Sequence, residues 1–214
     1  AATGLMIYQT DATVGFCYYN GSSWEGYYSK VEVDALLASL DTRITALEQE
    51  VSPAVGDFYG GGVVFYIFVN GDTGYVAGET HGLIAAVEDQ SADIRWHNGS
   101  SVTTGATATD LGTGSANTDA IILVQGETET SYAAGLARAY TGGGYTDWFL
   151  PSKDELYQMY TNKATINTTA SANGGSNFTT NNYWSSTEYG NSWGVVQRFD
   201  SNNFSYSDKG YSYN

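Results

Sequence analysis

Between Lys30 and Val51 the apolar residues recur at alternating spacings of four and three, and this pattern constrains the fold of the chain more than any other. The positions follow a heptad and are Val33, Leu37, Leu40, Ile44, Leu47 and Val51. Such a repeat places an apolar stripe along a helix and predicts a coiled coil. Leu36, at heptad position g, widens the stripe and favours three helices over two. Pro53 predicts where the helix ends.

The charges beside the stripe agree with an assembly of helices. Arg43 at position g lies opposite Glu48 at position e of a neighbouring helix, which is an attractive pairing. A single amphipathic helix packed on its own domain is the alternative, because three heptads are few for a coiled coil. We expect a coiled coil at residues 29–52 that forms a homotrimer, and the amphipathic helix stays open at this point.

The helix divides the chain into three regions. Residues 1–28 carry aromatic runs on either side of Asn20-Gly21, with a further turn signal at residues 9–13, and this predicts a small β module. Residues 53–214 form the main domain. Its predicted strands cover residues 62–68, 82–87, 147–150, 182–186 and 193–199, and its predicted helices cover residues 117–124 and 131–140. A third helix is predicted after Ser152, which with Glu155 forms a capping box. This mixed order indicates an α+β fold.

Composition and charge exclude several classes of function. The chain has 8 Lys and Arg against 23 Asp and Glu, which gives a formal net charge of −15 at pH 7. A protein that neutralises phosphate groups needs a basic face, so we expect no nucleic-acid partner. No apolar run approaches the length of about 18 residues that a membrane span needs, so we expect no membrane insertion. The single cysteine, Cys17, excludes an internal disulfide framework.

The sequence shows no convergent set of catalytic or metal-binding residues, so we expect neither an enzyme nor a metal site. The two histidines stand alone, without a partner at metal-ligand spacing. The competing hypothesis is a glycan hydrolase with paired carboxylates, either Glu88 with Asp89 or Asp147 with Asp154. Neighbouring residues on a strand point to opposite faces, which argues against the first pair. We expect no cofactor, but a structural Ca²⁺ held by backbone carbonyls stays open, because a sequence does not reveal such ligands.

The residues from 189 to 214 are mostly Asn, Ser, Gly, Tyr and Asp between a few apolar positions. Tyrosine supplies broad contact area with little rotamer entropy to lose, and Asn, Ser and Gly supply adaptable hydrogen bonds. This composition is typical of a recognition surface, and a polar surface without a ligand is the alternative. The predicted contact residues are Tyr189, Asn191, Ser192, Asn202, Asn203, Tyr206, Asp208 and Tyr211. We predict that Trp184, Trp193 and Phe199 hold the scaffold.

Four segments of the main domain carry the pattern of a known family, and they are Gly60–Ile67, Tyr75–Ala86, Gly143–Leu156 and Tyr183–Glu188. They resemble the Lcl-type C-terminal domain of a bacterial collagen-like adhesin, and the resemblance covers about residues 55–210. It implies a C-type lectin-like fold, trimeric display on a fibrous stalk, and adhesion without catalysis. Domains of this kind also form tips of phage tail fibres, and the opening segment Gly4–Asp11 is similar to modules that precede such tips. The basic glycosaminoglycan-binding patch suggested for the adhesin does not carry over to so acidic a chain.

The C-terminal composition is also similar to the variable regions of diversity-generating retroelement proteins, which use this fold. Adenine-directed mutation of Asn codons in those regions yields Asn, Ser, Tyr, Asp and Gly. The constant framework is matched here by Trp184, Ser185, Ser186, Trp193, Phe199 and Lys209. The resemblances imply an extracellular trimer whose head, residues 53–214, binds a host or cell-surface glycan or protein. A virion tail fibre is favoured by the first module, and a bacterial cell-surface adhesin is the alternative.

Overall fold

The computed structural model describes residues 6–9, 15–26, 30–126 and 130–214. The chain divides into two compact units, with the boundary between Ser52 and Pro53. The described residues form five α-helices and eleven β-strands in several small sheets. This mixture of helices and separate sheets agrees with the predicted α+β class. No helix within the described ranges combines the length and the apolar character needed to cross a membrane.

The first unit begins with a three-stranded antiparallel sheet. Its strands are β1 (Met6–Gln9), β2 (Gly15–Tyr19) and β3 (Trp24–Gly26), in the order β1-β2-β3. The Asn20 side chain accepts hydrogen bonds from the amides of Ser22 and Ser23 at 2.8 and 2.9 Å, and so closes the turn between β2 and β3. The hairpin predicted at Asn20-Gly21 is therefore confirmed. Most of the predicted turn at residues 9–13, and half of the opening segment Gly4–Asp11, lie outside the described residues.

Helix α1 (Lys30–Val51) covers the segment with the heptad pattern. The large apolar side chains of the heptad stripe are between 40% and 58% exposed in the single chain, and they are Val33, Leu36, Leu37, Leu40, Ile44 and Leu47. A contiguous apolar stripe of this kind marks a surface that contacts another element or another chain. The side chains of residues 48–51 lie outside the described part of the structure, and the predicted contact of Arg43 with Glu48 stays a prediction.

The second unit contains three antiparallel sheets and four helices. One sheet has the order β4-β5-β6 and consists of β4 (Phe58–Tyr59), β5 (Gly62–Ile67) and β6 (Gly82–Ala86). Another has the order β10-β9-β8 and consists of β8 (Asn182–Tyr189), β9 (Trp193–Arg198) and β10 (Asn203–Asp208). The third pairs β7 (Ile94–Arg95) with β11 (Ser212–Tyr213). The helices are α2 (Gly114–Gln125), α3 (Ala133–Ala139), α4 (Lys153–Thr161) and α5 (Lys163–Ala172).

Three apolar clusters form the core of the second unit. The first joins the β8–β9 sheet to α2 and α3 and includes Ile94, Trp96, Ile121, Tyr132, Trp184 and Val196. The second joins β5 and β6 to α5 and includes Val63, Phe65, Leu83, Ala85, Ile166 and Ala170. The third joins α4 to Tyr183 and Phe199 through Leu156. Trp184 and Phe199 are buried, whereas Trp193 is 46% exposed, so the prediction that Trp193 holds the scaffold is wrong.

The predicted helices of this unit are confirmed. Helix α2 ends directly before Gly126, which has a φ of +105°. At the start of α4 the Ser152 hydroxyl accepts a hydrogen bond from the amide of Glu155. The Glu155 carboxylate accepts a hydrogen bond from the amide of Ser152 at 2.7 Å. These two bonds form the capping box that the sequence predicted. Helix α5 was not predicted.

Two strand predictions are corrected. Residues 147–150 have no regular secondary structure. Trp148 in this segment packs beside Gly62 and donates its indole N–H to the carbonyl oxygen of Gly142 at 3.0 Å, so side-chain contacts rather than a strand ladder position it. Glu88 and Asp89 lie beyond the end of β6, and the argument from opposite faces of a strand therefore does not apply to them.

Candidate binding surface

The β10-β9-β8 sheet brings three exposed aromatic side chains to one face. Tyr206 on β10 pairs with Val195, and Asp208 pairs with Trp193. On the other side of β9, Tyr189 also pairs with Trp193. Residues directly opposite each other, and residues two positions apart on one strand, share a face of a sheet. Tyr189, Trp193 and Tyr206 therefore lie on the same face, and together they are called the aromatic patch.

The aromatic patch is held together and still faces solvent. The ring centroids of Tyr189 and Tyr206 are 4.3 Å apart, with an angle of 31° between the ring planes. The two residues are 60% and 59% exposed, and Trp193 is 46% exposed. Aromatic rings contribute large contact areas when a partner covers them, and each keeps a polar group for hydrogen bonding. The patch is therefore a solvent-exposed surface whose tyrosine rings already contact each other.

A cavity of about 410 Å³ lies directly beside the patch. Its lining includes Thr107, Thr109, Lys153, Thr187, Tyr189, Phe204 and Tyr206. The ammonium group of Lys153 lies 5.0 Å from the ring centroid of Phe204 and 2.7 Å from the carboxylate of Asp154. Aromatic faces, hydroxyl groups and a lysine in one concave site are suited to a ligand that both stacks and forms hydrogen bonds.

A buried ion pair supports the end of the sheet that carries the patch. Lys209 Nζ lies 2.8 Å from a carboxylate oxygen of Glu188, and both side chains have no exposed surface. The same ammonium group donates to the carbonyl oxygens of Val102 at 3.0 Å and Gly190 at 3.1 Å. All three N–H groups of the lysine therefore have acceptors, as a buried charge requires. Because Glu188 and Gly190 flank Tyr189, the pair fixes the backbone on both sides of that residue.

Glu188 stays ionised in this buried position. Burial opposes its ionisation, but hydrogen bonds from Lys209 and from the Thr104 and Gly105 segment outweigh that effect and hold the pKa of the carboxyl below its ordinary value. The donors from that segment are the amides of Thr104 and Gly105 and the Thr104 hydroxyl, at 2.7 to 3.1 Å. The carboxylate is therefore charged at neutral pH, and the support beneath the patch is present there.

The structure brings five of the eight predicted contact residues to one end of the sheet. They are Tyr189, Asn191, Ser192, Asp208 and Tyr211, at the turn from β8 to β9 and at the end of β10. The amide of Lys209 donates to the carbonyl oxygen of Ser192 at 2.9 Å and ties the two chain segments together. Asn191 and Tyr211 are exposed, whereas Ser192 and Asp208 are half-buried. Tyr206 lies two residues from Asp208 and joins this group.

Asn202 and Asn203 lie apart from the others. They are at the opposite end of β10, and Asn203 is roughly 17 Å along the strand from Asp208. Asn203 is also an odd number of residues from Tyr206, so its side chain points to the opposite face of the sheet. Both residues are exposed, but one compact partner on the aromatic patch would not contact them.

The Lcl C-terminal domain family model matches residues 85–214, which is more than half of the chain. The chain belongs to the Lcl C-terminal domain family. The matched residues contain the aromatic patch, the adjacent cavity and the buried ion pair, and the resemblance seen in the sequence is confirmed. Membership of this family indicates an adhesin-like or tail-fibre-type protein. No curated protein matches the chain.

Sequence reasoning missed three residues of the Lcl domain surface. Trp193 was assigned to the scaffold, but its register places it in the aromatic patch. Phe204 and Lys153, which line the adjacent cavity, were not considered. The alternation of Phe204, Tyr206 and Asp208 was the available signal for a strand with an outward face. Polar residues separate these positions, and the apolar run that marks a strand was therefore absent.

Within the described ranges of the chain, no group of three or more His, Cys, Asp or Glu residues is placed to hold a metal ion. His97 is buried, and its Nδ1 accepts a hydrogen bond from the amide of Gly99 at 2.9 Å. Burial lowers the pKa of this imidazole. His81 lies 2.6 Å from the carboxylate of Glu79 at the surface. Both histidines therefore have structural partners.

Two carboxylates of the hydrolase hypothesis have partners within the protein. Asp89 accepts hydrogen bonds from the Tyr183 hydroxyl at 2.8 Å and from the Asn214 amide at 2.9 Å. Burial raises the pKa of Asp89, and burial also raises the pKa of Tyr183 to about 12. Asp154 pairs with Lys153 at 2.7 Å. Each of these groups therefore has a structural role in its own neighbourhood.

Proposed function

We propose that the chain is a non-catalytic receptor-binding protein, the tip of a phage tail fibre, that attaches to a host cell surface through the aromatic patch. The patch carries the proposal, because two stacked tyrosines remain 60% and 59% exposed on a sheet that is fixed from beneath by a buried ion pair. Exposed tyrosine on a rigid support is characteristic of recognition surfaces. A bacterial cell-surface adhesin is the second candidate, and it would use the same contact from a different attachment.

The partner that suits this surface is a glycan or a protein of the host or cell surface. The rings of Tyr189 and Tyr206 offer faces for stacking on a sugar or on an apolar side chain. The hydroxyl groups that line the adjacent cavity offer hydrogen bonds to a polar ligand. The net charge of −15 disfavours nucleic acid, and the proposal includes an extracellular location.

In each predicted carboxylate pair one member is held by neighbouring groups of the protein, and this supports binding rather than hydrolysis. A glycosidase needs two carboxyl groups that face each other across a cleft and are free to exchange protons with the substrate. Asp89 is held by Tyr183 and Asn214, and Asp154 is held by Lys153. The proposed attachment needs no cofactor.

The exposed stripe of α1 supports trimeric display. Six apolar side chains between Val33 and Leu47 are 40% to 58% exposed in one chain, at heptad spacing. Association of three such helices would bury the stripe. Three heads carried by one bundle would then bind a multivalent surface with avidity well above the affinity of one head.

Attachment is tested with the double variant Tyr189→Ala and Tyr206→Ala in the full chain, labelled fluorescently and applied to a panel of bacterial cells and to a glycan array. We expect attachment to at least one target by the parent protein and a loss of about tenfold or more in the double variant. Tyr75→Ala is the matched control, because Tyr75 is an exposed tyrosine outside the patch. Unchanged attachment with normal folding would contradict the proposal, and turnover of a glycan would replace it with the enzyme.

The trimer is tested by light scattering on the full chain. We expect a mass three times the 22.9 kDa of one chain. Leu40→Lys, within the stripe, should lower the mass to that of a monomer, whereas Ser39→Lys, which adds the same charge outside the stripe, should not. A monomeric parent protein would rule out the coiled coil.

A further inference from the structure

A second cavity, of about 500 Å³, lies in the same unit and shares no lining residue with the aromatic patch. It is bounded by β5, β6, α3, α4 and the segment from 140 to 151. Its apolar lining includes Ile84, Ala86, Leu136, Leu150 and Met159, and its aromatic lining includes Tyr59, Tyr140, Tyr145 and Trp148. The volume and the apolar character are typical of small-molecule sites.

The aromatic side of this cavity is fixed by two runs of glycine. Gly61 has a φ of +83°, and a Cβ at this position would overlap the backbone of Gly143. The two glycine runs therefore pack backbone against backbone. Trp148 donates to the carbonyl oxygen of Gly142 at 3.0 Å, and its ring centroid lies 5.0 Å from that of Tyr140. The hydrogen bond and the ring contact fix Trp148 and Tyr140 from within the protein, so binding would need little reorganisation.

The ionisable residues that line the cavity are all acidic. They are Glu88, Asp89, Asp147 and Glu155, and no lysine, arginine or histidine lies among the lining residues. Asp89 and Glu155 are engaged by neighbouring groups of the protein. Glu88 and Asp147 are exposed and form no ion pair with any residue that the structure describes. Burial raises the pKa of the Tyr140 hydroxyl most, and the negative charge of Glu88 raises it further. The Glu88 carboxylate therefore lies close to the aromatic side of the cavity.

We propose that this cavity binds a small organic cation, an amine or quaternary ammonium ion with apolar substituents. The carboxylates of Glu88 and Asp147 attract the charge, and the ring faces of Tyr140 and Trp148 stabilise it by cation–π interaction. The apolar lining buries the substituents. An anion would be repelled by the same carboxylates, and a neutral molecule would gain nothing from them. The site is independent of the attachment proposed for the aromatic patch.

The proposal is tested by NMR titration of the full chain, with the indole N–H signal of Trp148 as the reporter. Choline is compared with 3,3-dimethylbutan-1-ol, which has the same shape without the charge. We expect choline to shift the Trp148 signal. The alcohol should bind with an affinity at least about tenfold lower than that of choline. Benzyltrimethylammonium should bind more tightly than choline because its ring reaches the apolar lining, and benzoate should not bind. Equal affinity for choline and the alcohol, or no shift with either cation, would overturn the proposal.

Substitutions of the exposed carboxylates locate the charge interaction. Glu88→Gln and Asp147→Asn should each weaken binding of benzyltrimethylammonium about threefold, with unchanged thermal unfolding. Asp93→Asn removes one exposed carboxylate outside the lining and should leave the affinity unchanged. Equal weakening by all three variants would show a general charge effect and would overturn the site. The double variant Tyr189→Ala and Tyr206→Ala should bind the cation normally, which separates this test from that of the attachment.

Discussion

Replacing Lys209 by methionine removes an ammonium group from a site with no solvent exposure and keeps most of the side-chain volume. The variant loses the contact with Glu188 at 2.8 Å and the donors to the carbonyl oxygens of Val102 and Gly190. Removing one member of a buried pair costs about 3 to 5 kcal/mol, because the other charge stays buried without its partner. Glu188 keeps the donors from the Thr104 segment, so we expect a loss of about 3 kcal/mol, at the lower end of that range.

The loss is measured by urea unfolding at pH 7 with tryptophan fluorescence as the signal. Trp96 is a suitable reporter, because its ring centroid lies 4.2 Å from Lys209 Nζ and its side chain is buried. Lys153→Met is the matched control. The pair of Lys153 with Asp154 has a similar distance, 2.7 Å, but both side chains are about one third exposed, and we expect a loss below about 1 kcal/mol.

A second variant separates the charge from the packing at this site. Lys209→Met combined with Glu188→Leu leaves no unpaired carboxylate, so it should recover part of the stability lost in Lys209→Met alone. A loss below about 1 kcal/mol in Lys209→Met, or equal losses for the two lysines, would refute the view that the buried pair supports the sheet beneath the patch.

Four further predictions concern backbone and acid effects. Gly61→Ala, which forces a Cβ into the backbone of Gly143 at a φ of +83°, should cost about 2 kcal/mol or more in thermal unfolding. Ser152→Ala, which removes the capping box, should cost about 1 kcal/mol by the same measurement. The stabilisation from ionised Glu188 is complete above the ordinary glutamate pKa of about 4.3 and is lost as the pH falls through the lower folded pKa, so Glu188→Gln should flatten the acid unfolding curve. Burial raises the pKa of Glu155, so protonation of this residue stabilises the fold as the pH falls. Glu155→Gln removes that stabilisation and should therefore steepen the acid unfolding curve.

Features whose stability arises within a few residues were predictable from the sequence. The hairpin at Asn20-Gly21 is closed by the side chain of its own turn residue. The start of α4 is fixed by Ser152 and Glu155, three positions apart. Helix α1 follows from the period of its apolar residues, which is a property of the helix alone.

Elements that depend on distant contacts were not predictable in this way. Helix α5 has three Thr among its ten residues, which lowers the helical preference that its three Ala give, and Ile166 and Ala170 stabilise it by packing on β5 and β6. Trp148 lies in an apolar run that resembles a strand, but its contact with Gly142 and its packing beside Gly62 hold it outside any sheet. In both cases the tertiary contacts override the local preference.

The composition of the sequence predicted that a candidate surface exists, but it did not predict how the residues of that surface are arranged. The amount of Tyr, Asn and Ser near the C-terminus predicted a polar aromatic surface, yet only the register of β8, β9 and β10 shows that Asn203 lies far from Tyr211. The register also moves Trp193 from the interior to the surface. Lys209 and Glu188 are 21 residues apart, a separation at which no local rule indicates an ion pair.

The outer strand β10 is joined to β9 by six residue pairs whose ladder uses backbone groups alone. Exchange of Tyr206 for another residue leaves that ladder intact, and it leaves the buried charges below untouched. The proposed contact and the stability of the fold therefore depend on different atoms of residues 53–214. Under the proposed attachment, a lineage that meets an altered target would need only a few codon changes on this outward strand and no compensating mutations in the interior.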